Sequence, residues 1–344
     1  MRVLLPFWDM DIMPRYVAQF QALARAVEEL HILYVYGEPR PEWEEWAQFH
    51  RLKLRPGYKY LSWLTSRHMA LDPLPEGLDV VYSLSGLWMG FYGDYIARAL
   101  DIPHVIRLRG NIRECRTNQR AGALKQMAFG WMDNRIIRRA DLVIPISLRL
   151  RDLALEWGAK KVSYPVYNAY EPQEDPPVAW RATVGYIGRI AKEKGSQLLR
   201  RLLEAPDLDW WIAGPIQDLG FTLPEGSRVA YTPWVPYEAL PAFYKGVSVI
   251  VAPSRSEGFP NTLLEAYYHG VPVVGSPTFF PREAPIYGRE VRSSNPKDWI
   301  EAIKESVNRP LSPAPAKEYA RWFTWKKHGR EIKALLEKAI REHK

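Results

Sequence analysis

The stretch "PSRSEGFPNTLLEAYYHGVPVVG", residues 253–275, sets two glutamates, Glu257 and Glu265, eight positions apart. The first sits in a turn rich in Ser, Gly and Pro, the second in an apolar run. The preceding "VSVIVAPS" (247–254) is apolar and β-branched, so it reads as a buried strand ending near Ser254. A helix then begins near Pro260, since proline suits a first helical turn. Glu257 is thereby placed on the loop at a strand's carboxyl end, and Glu265 one to two turns into the helix. The next strand, "VPVVGS" (271–276), follows directly. Strand, glycine-bearing loop, helix and strand in this order describe a doubly wound α/β unit.

The same alternation runs outward in both directions. Toward the N-terminus, "ATVGYIG" (182–188), "DWWIAG" (209–214) and "RVAYTP" (228–233) read as strands, with helices "KGSQLLRRLLEA" and "YEALPAFYKG". Before them, "NAYEPQEDPPVAW" (168–180) is polar and Pro-rich and reads as a linker. An earlier series begins with "RVLLP", a helix over 14–30, and "HILYVYG". It continues through "DVVYSL" (79–84), "HVIRLRG" (104–110), "DLVIPIS" (141–147) and "VSYPVYN" (162–168). Such alternation implies parallel sheets covered on both faces. The expected fold class is α/β, with two doubly wound, Rossmann-like domains facing across a cleft. The first spans 1–170, completed by a C-terminal helix at 326–344, and the second spans 177–325.

At 344 residues and 47% hydrophobic content, the chain suits about two globular domains. No run of about 18 apolar residues marks a membrane span, and the short apolar N-terminus reads as a first strand rather than a signal peptide. A single cysteine, Cys115, excludes an intrachain disulfide and fits a cytoplasmic location. Fourteen Trp and 29 Pro hint at a heat-adapted source. The formal charge is +8 and is concentrated: residues 107–151 hold eleven bases against three acids. Two readings of this segment are open. It is a solvated helix face, or it meets anionic lipid or a phosphate-bearing substrate, with Met127, Phe129 and Trp131 inside it.

The opening stretch has the chemistry of a nucleotide diphosphate site. A first helical turn offers free backbone N–H groups, here those of Asn261 and Thr262, at the positive end of a helix dipole. Gly258 lets the backbone approach a ligand closely. A buried acceptor such as Glu265 can take two ribose hydroxyls. Upstream, "GYIGRIAKEKG" (185–195) ends a strand at Gly188 and follows it with Arg189 and Lys194. Two cations there clamp a diphosphate, or form a basic turn leading into a surface helix. The seven histidines show no metal-ligand spacing, and His269 before Gly270 reads as a helix end. No Gly-x-Ser-x-Gly pattern appears. Asp9 and Asp11 fit an acceptor hydroxyl or a helix cap equally well.

Taken in order, "GRIAKEKG", "WIAGP" and "PSRSEGFPNTLLEAYYHGVPVV" resemble the family 4 glycosyltransferases, which have the glycosyltransferase-B fold. The resemblance covers almost all of the second domain. It extends to "ADLVIPISLRLRDLALEWGAKKVSYPVYNAY", where Asn168 keeps the Asn of an Asn-Gly turn and Ala169 replaces the Gly, and to the tail "YARWFTWKKHGREIKALLEKAI". The resemblance implies sugar transfer from a nucleotide-diphosphate sugar, with retained anomeric configuration, no cofactor and no essential metal. By motif position, Arg189 and Lys194 hold the diphosphate, Glu257 contacts the donor sugar and Glu265 the ribose. Gly188, Gly258, Phe259, Asn261 and Thr262 line the donor.

The chain departs from the family pattern in three places. "PFWDMDIMPRY" has no glycine where a glycine-rich loop is usual, which makes Arg15 a candidate. "IRLRGN" places Arg109 where a histidine is usual, so Arg109, Gly110 and Asn111 become candidates on the acceptor side. Phe279 and Phe280 stand where two glycines usually approach the sugar. The expected partners are the nucleotide-sugar donor, a glycan, lipid-linked or small-molecule acceptor, and an anionic membrane surface through 107–151; no nucleic acid is expected. A nucleotide-sugar epimerase and a nucleotide-binding pseudoenzyme are the alternatives on this fold, and a basic nucleic-acid-binding protein is the alternative outside it.

Overall fold

The computed structural model describes residues 1–11, 16–52, 74–84, 87–111, 123–171, 181–226, 228–309 and 311–343. The chain forms two compact units. One comprises Met1–Gly110, Gly122–Tyr167 and Trp325–Lys344, the other Asn111–Ala121 and Asn168–Thr324. The first unit thus ends at Tyr167 rather than at 170.

The first unit holds β1 (Arg2–Asp9), β2 (Glu29–Tyr36), β3 (Gln48–Arg51), β4 (Val80–Leu84), β5 (His104–Leu108) and β6 (Leu142–Pro145). They lie in the order β3-β2-β1-β4-β5-β6, with all neighbours parallel. Its helices α1 (Val17–Ala24), α2 (Leu87–Leu100), α3 (Ala123–Arg139) and α4 (Leu148–Glu156) are joined by the last helix of the chain, Trp325–His343. Side chains of β1 alternate between two cores, as the period of a strand requires. Val3, Leu5 and Phe7 meet Phe20 of α1 and Ile332, Leu336 and Ala339 of the last helix. Leu4 faces the opposite way, toward Tyr92 and Ile96 of α2. The last helix turns His328, Gly329, Ile332, Leu336 and Ala339 inward at intervals of one to four residues. Its outer face carries Lys–Glu pairs one turn apart, at 327/331, 333/337 and 338/342, each adding a few tenths of a kcal/mol.

Most of the stretches read as strands or helices are located to within about three residues, and the main differences follow. The helix expected over 14–30 is described only as Val17–Ala24, because Glu29 and Leu30 are taken into β2 by pairing with Arg2 and Val3. The strand expected over 162–168 reduces to one bridge, Val162 to Val143. Pro165 has no N–H to extend a ladder. The short edge strand β3 and the three-residue strand Gly288–Glu290 of the second unit carry no strong strand signal and have no counterpart in the sequence reading.

Arg107 corrects the reading of 107–151 as wholly solvated or ligand-facing. Its side chain, on β5, is fully buried. It donates to His328 Nε2 at 3.1 Å and to the Val166 carbonyl at 3.2 Å. His328 must therefore accept at Nε2 and carry its proton on Nδ1, which donates to the Tyr167 carbonyl at 2.9 Å. Burial, then the neighbouring guanidinium, holds the His328 pKa well below the ordinary imidazole value. One buried cation thus ties β5, the segment 166–167 and the last helix together.

The second unit holds β7 (Ala182–Ile187), β8 (Trp210–Ala213), β9 (Val229–Thr232), β10 (Val247–Ala252), β11 (Val273–Gly275) and β12 (Gly288–Glu290). Their order is β12-β11-β10-β7-β8-β9, again parallel throughout. Around the sheet lie α5 (Ser196–Leu202), α6 (Leu240–Lys245), α7 (Asn261–His269), α8 (Pro296–Asn308) and α9 (Ala314–Arg321). Val184, Tyr186, Val249 and Val251 pack with Leu199, Leu202, Trp299 and Ile303 into its core. Strand order reverses between β7 and β10, and the carboxyl ends of such neighbours form the ligand crevice of an open α/β sheet.

Arg107→Ala should destabilise the first unit by about 3–5 kcal/mol, since it opens a cavity and strips two buried acceptors of their donors. Urea unfolding followed by circular dichroism measures this. A loss under about 1 kcal/mol would show that Arg107 does not hold these elements together.

Candidate functional site

The loops after β7 and β10 are those that carry the motifs read from sequence. β7 ends at Ile187, and Gly188 takes φ +143°, a conformation disfavoured for side-chain-bearing residues. The space where its Cβ would stand is open, so a ligand can approach its backbone. Tyr186, from inside the strand, donates its hydroxyl to the Arg189 carbonyl at 2.8 Å and fixes the turn. The Arg189 guanidinium donates to Gln217 Oε1 at 2.8 Å and forms an ion pair with Glu193 Oε1 at 2.9 Å. Glu193 is nearly fully buried, and its Oε1 has no partner at hydrogen-bonding angles, so that contact is Coulombic. Lys192–Lys194 form a 3-10 turn closed by Gly195 at φ +77°. A side chain at 195 would run into the Pro253 carbonyl, so glycine is what lets the two loops touch.

The second loop, Pro253–Pro260, is tied on both sides. The Arg255 N–H donates to the Glu193 carbonyl at 2.8 Å. On the other side the hydroxyls of Ser276 and Thr278 both donate to the Ser254 carbonyl. Between these ties Lys194 Nζ meets Glu257 Oε1 at 2.6 Å, with side-chain exposures of 24% and 10%. Residues 63 apart in sequence thus form a charge-assisted hydrogen bond at the switch point. Gly258 is half-buried beside them.

Helix α7 begins at Asn261 after Pro260, whose backbone is extended, and no side chain caps it. Its first-turn N–H groups and dipole end are the anion-binding feature expected from sequence. The Phe259 ring is buried and tilted against Phe323 at 5.8 Å, so this residue can offer a donor only its backbone. The Tyr244 hydroxyl donates to Glu265 Oε2 at 2.5 Å. Glu265 is 9% exposed. Burial pushes its pKa up to about 7, against the lowering effect of the Tyr244 bond. His269 closes the helix before Gly270, stacks on Tyr244 at 5.6 Å and meets the Tyr170 hydroxyl at 2.9 Å.

The structure thus gathers Gly188, Arg189, Lys194, Glu257, Gly258, Phe259, Asn261, Thr262 and Glu265 around two adjacent strand ends. Phe279 and Phe280, in place of the family's glycines, lie in the core. Both rings are buried, against each other and against Gly275, and Ser276 and Thr278 face the Glu257 loop instead. On the first unit, the Arg109 guanidinium lies 4.6 Å over the Tyr16 ring at the carboxyl end of β5. A Cβ at Gly110 would meet open space. Asn111 groups with the second unit. Arg15 and Cys115 lie outside the described residues, as do 172–180 of the linker. Sequence reasoning missed Tyr244 and Gln217. Neither carries a motif, and only the sheet order brings them to their partners. Among the described residues, no three His, Cys, Asp or Glu side chains are grouped to hold a metal ion, and no helix is long and apolar enough to cross a membrane.

The raised pKa of Glu265 sets a pH dependence. Native protein retains a proton that the unfolded chain, at the ordinary value of 4.5, has released. The contribution is full below that value and is lost as pH rises through about 7. Between pH 5 and pH 8 the wild type should therefore lose about 2–3 kcal/mol of stability relative to Glu265→Gln. Urea midpoints of the two proteins across this range test it, and parallel profiles would show that Glu265 does not titrate there.

Comparisons with known proteins bear on the family and the fold. Residues 14–167 match the model of a glycosyl transferase 4-like domain, and residues 181–309 match that of the glycosyl transferases group 1. A GDP-mannose-dependent alpha-mannosyltransferase of Mycolicibacterium smegmatis is 27% identical over 219 residues, 60% of this chain and 57% of that protein. A putative teichuronic acid biosynthesis glycosyltransferase, TuaC of Bacillus subtilis, is 25% identical over 247 residues, 67% of this chain and 58% of that protein. The matches thus span somewhat over half the length of these relatives. In fold, the chain is similar to HepE of Anabaena, solved with UDP and glucose. The TM-score is 0.74 at 15% identity, covering 98% of this chain and 100% of that one. Sucrose-phosphate synthase of Thermosynechococcus elongatus gives 0.66 at 18% identity, covering 99% and 97%. The two family models fall on the two sheet-bearing units and together take in most of the chain, which belongs to the group 1, family 4-type glycosyltransferases of the glycosyltransferase-B fold.

Proposed function

We propose that this protein moves a sugar from a nucleotide-diphosphate sugar to an acceptor hydroxyl with retention of anomeric configuration. The observation that carries the reading is the Lys194–Glu257 contact at 2.6 Å, set between two adjacent strand ends. The names of its relatives support the donor class, since one is GDP-mannose-dependent and one fold neighbour was solved with UDP and glucose. In this reading the diphosphate lies at the first turn of α7, where the Asn261 and Thr262 N–H groups meet its charge. Lys194 shifts from Glu257 toward a phosphate oxygen, and Arg189 exchanges Gln217 for another. Glu257, released from its partner, accepts a hydroxyl of the sugar. Tyr244 holds one oxygen of Glu265, and the other takes the ribose hydroxyls.

The sugar C1–O bond to phosphate breaks as the acceptor oxygen bonds C1 on the same face. The departing phosphate oxygen takes the acceptor's proton, so no separate protein base is needed. Charge grows on the leaving diphosphate, and fixed donors that stabilise it lower the barrier by about 2.7–4 kcal/mol each. Thermal-shift measurements with UDP, GDP, ADP and dTDP should show stabilisation by one nucleotide, lost in Glu265→Ala. Turnover of the matching donor should fall about 10²–10³-fold in Lys194→Ala, and NMR of the product should show the donor's anomeric configuration. Stabilisation by none of the four would overturn the reading, and an inverted product would overturn retention.

The acceptor in this reading is a glycan or lipid-linked hydroxyl met at the carboxyl end of β5, beside Arg109 and Gly110. A lipid-linked acceptor is supported by the basic segment 107–151, where Trp131 on α3 is 63% exposed with the Arg135 guanidinium 5.7 Å from its ring centroid. Aromatic and basic residues together suit an anionic headgroup layer. Flotation with phosphatidylglycerol vesicles at low salt should carry the wild type upward and Trp131→Ala less. Equal recovery with neutral vesicles would remove the anionic surface from the reading.

A further inference from the structure

We propose that Asn168 is a positioning residue of the donor site, one that sets the orientation of the Glu257 loop where it enters α7. The proposal rests on the donor reading above. Asn168 is 8% exposed and stands at the start of the second unit's main segment, directly after Tyr167. Its side-chain amide donates to the Phe259 carbonyl at 3.1 Å and to Asn261 Oδ1 at 2.7 Å. Those acceptors flank Pro260, the residue at which the loop turns into the helix. An amide nitrogen has two N–H donors, and here both are used on either side of that turn.

This placement matters because α7 lacks a cap of its own. Most helices begin with a Ser, Thr, Asp or Asn whose oxygen occupies a first-turn N–H and fixes the chain's entry. Proline at that position has no side-chain acceptor, and α7 has no side-chain cap bond. The Asn261 and Thr262 N–H groups are thereby left for a ligand, while the Leu263 N–H donates to the Pro260 carbonyl at 3.1 Å, but the usual geometric restraint is gone. Asn168 supplies the restraint from outside the helix. It bonds to a carbonyl and a side-chain oxygen, and so consumes no first-turn N–H. The same short segment is anchored at the other end of α7, where the Tyr170 hydroxyl meets His269 Nε2 at 2.9 Å. The Tyr170 N–H also donates to the Phe323 carbonyl at 3.2 Å, and the Phe323 ring lies against Phe259. Residues 168–170 thus brace both ends of the nine-residue helix.

A residue acting in this way should affect the phosphates and spare the nucleoside, which in the donor reading Glu265 holds about one turn further along the helix. Binding of UDP and of GDP, and of uridine and guanosine, is measured by ligand-observed NMR on the wild type, Asn168→Ala and Asn261→Ala. Asn168→Ala should weaken the diphosphate about tenfold and leave its parent nucleoside unchanged. Asn261→Ala, at an exposed position that removes one acceptor, should give a smaller loss of the same kind without threatening the fold. Asn168→Asp keeps the volume but lacks both donors, and should bind the diphosphate no better than Asn168→Ala. Unchanged diphosphate binding in Asn168→Ala, or equal losses for diphosphate and nucleoside, would overturn the proposal. A wild type that binds neither diphosphate would overturn the donor reading itself, and the proposal with it.

Discussion

The parallel pairing of β7 with β10 is the constraint on which the second unit depends. Val247, Val249 and Ile250 register with Ala182, Val184 and Gly185, so two strands some 65 residues apart in sequence finish side by side. Parallel neighbours send their carboxyl ends the same way, and the loops that follow must share one patch of space. Gly195 permits the closest approach, because any Cβ there would strike the backbone of Pro253. With that gap closed, Lys194 and Glu257 lie within a hydrogen bond of each other. Pairing them also answers an electrostatic demand, since Glu257 is only 10% exposed and an uncompensated carboxylate there is costly.

A second consequence of packing is the state of Glu265. On a helix surface it would be an ordinary carboxylate. Here the buried face of α7 places it against the fully buried Tyr244, and loss of water disfavours its charge. The Tyr244 hydroxyl works in the opposite direction but does not cancel the effect of burial. A group balanced near neutrality is a common product of such competition, and it arises from the neighbours that the fold supplies rather than from the residue itself.

The first unit uses a different device for the same purpose. Its sheet is buried on both faces, yet Arg107 puts a cation inside. The charge is tolerated because two acceptors, His328 Nε2 and the Val166 carbonyl, converge on it. His328 comes from the last helix, more than 200 residues later in the chain. The buried guanidinium therefore acts as a fastener between sequence-distant elements, in a segment whose composition suggested only a basic surface.

What the sequence determined by itself is the local order of the chain. Period-2 and continuous apolar runs, helix starts at proline and helix stops at glycine placed β1, β4–β11 and α5–α7 closely, because these signals come from neighbouring residues. The motif residues Arg189, Lys194, Glu257 and Glu265 were legible for the same reason, each being tied to a strand end or a helix turn. The tertiary structure decided what strand order and side-chain packing decide. It chose the partner of Glu265, turned Phe279 and Phe280 into the core, hid Arg107, and stapled α7 from Asn168. Each of these depends on contacts between residues at least 20 apart or on which face of a sheet is covered. Pattern along a chain carries no record of distance across a sheet, and so candidate residues could be named from sequence while their mutual geometry could not.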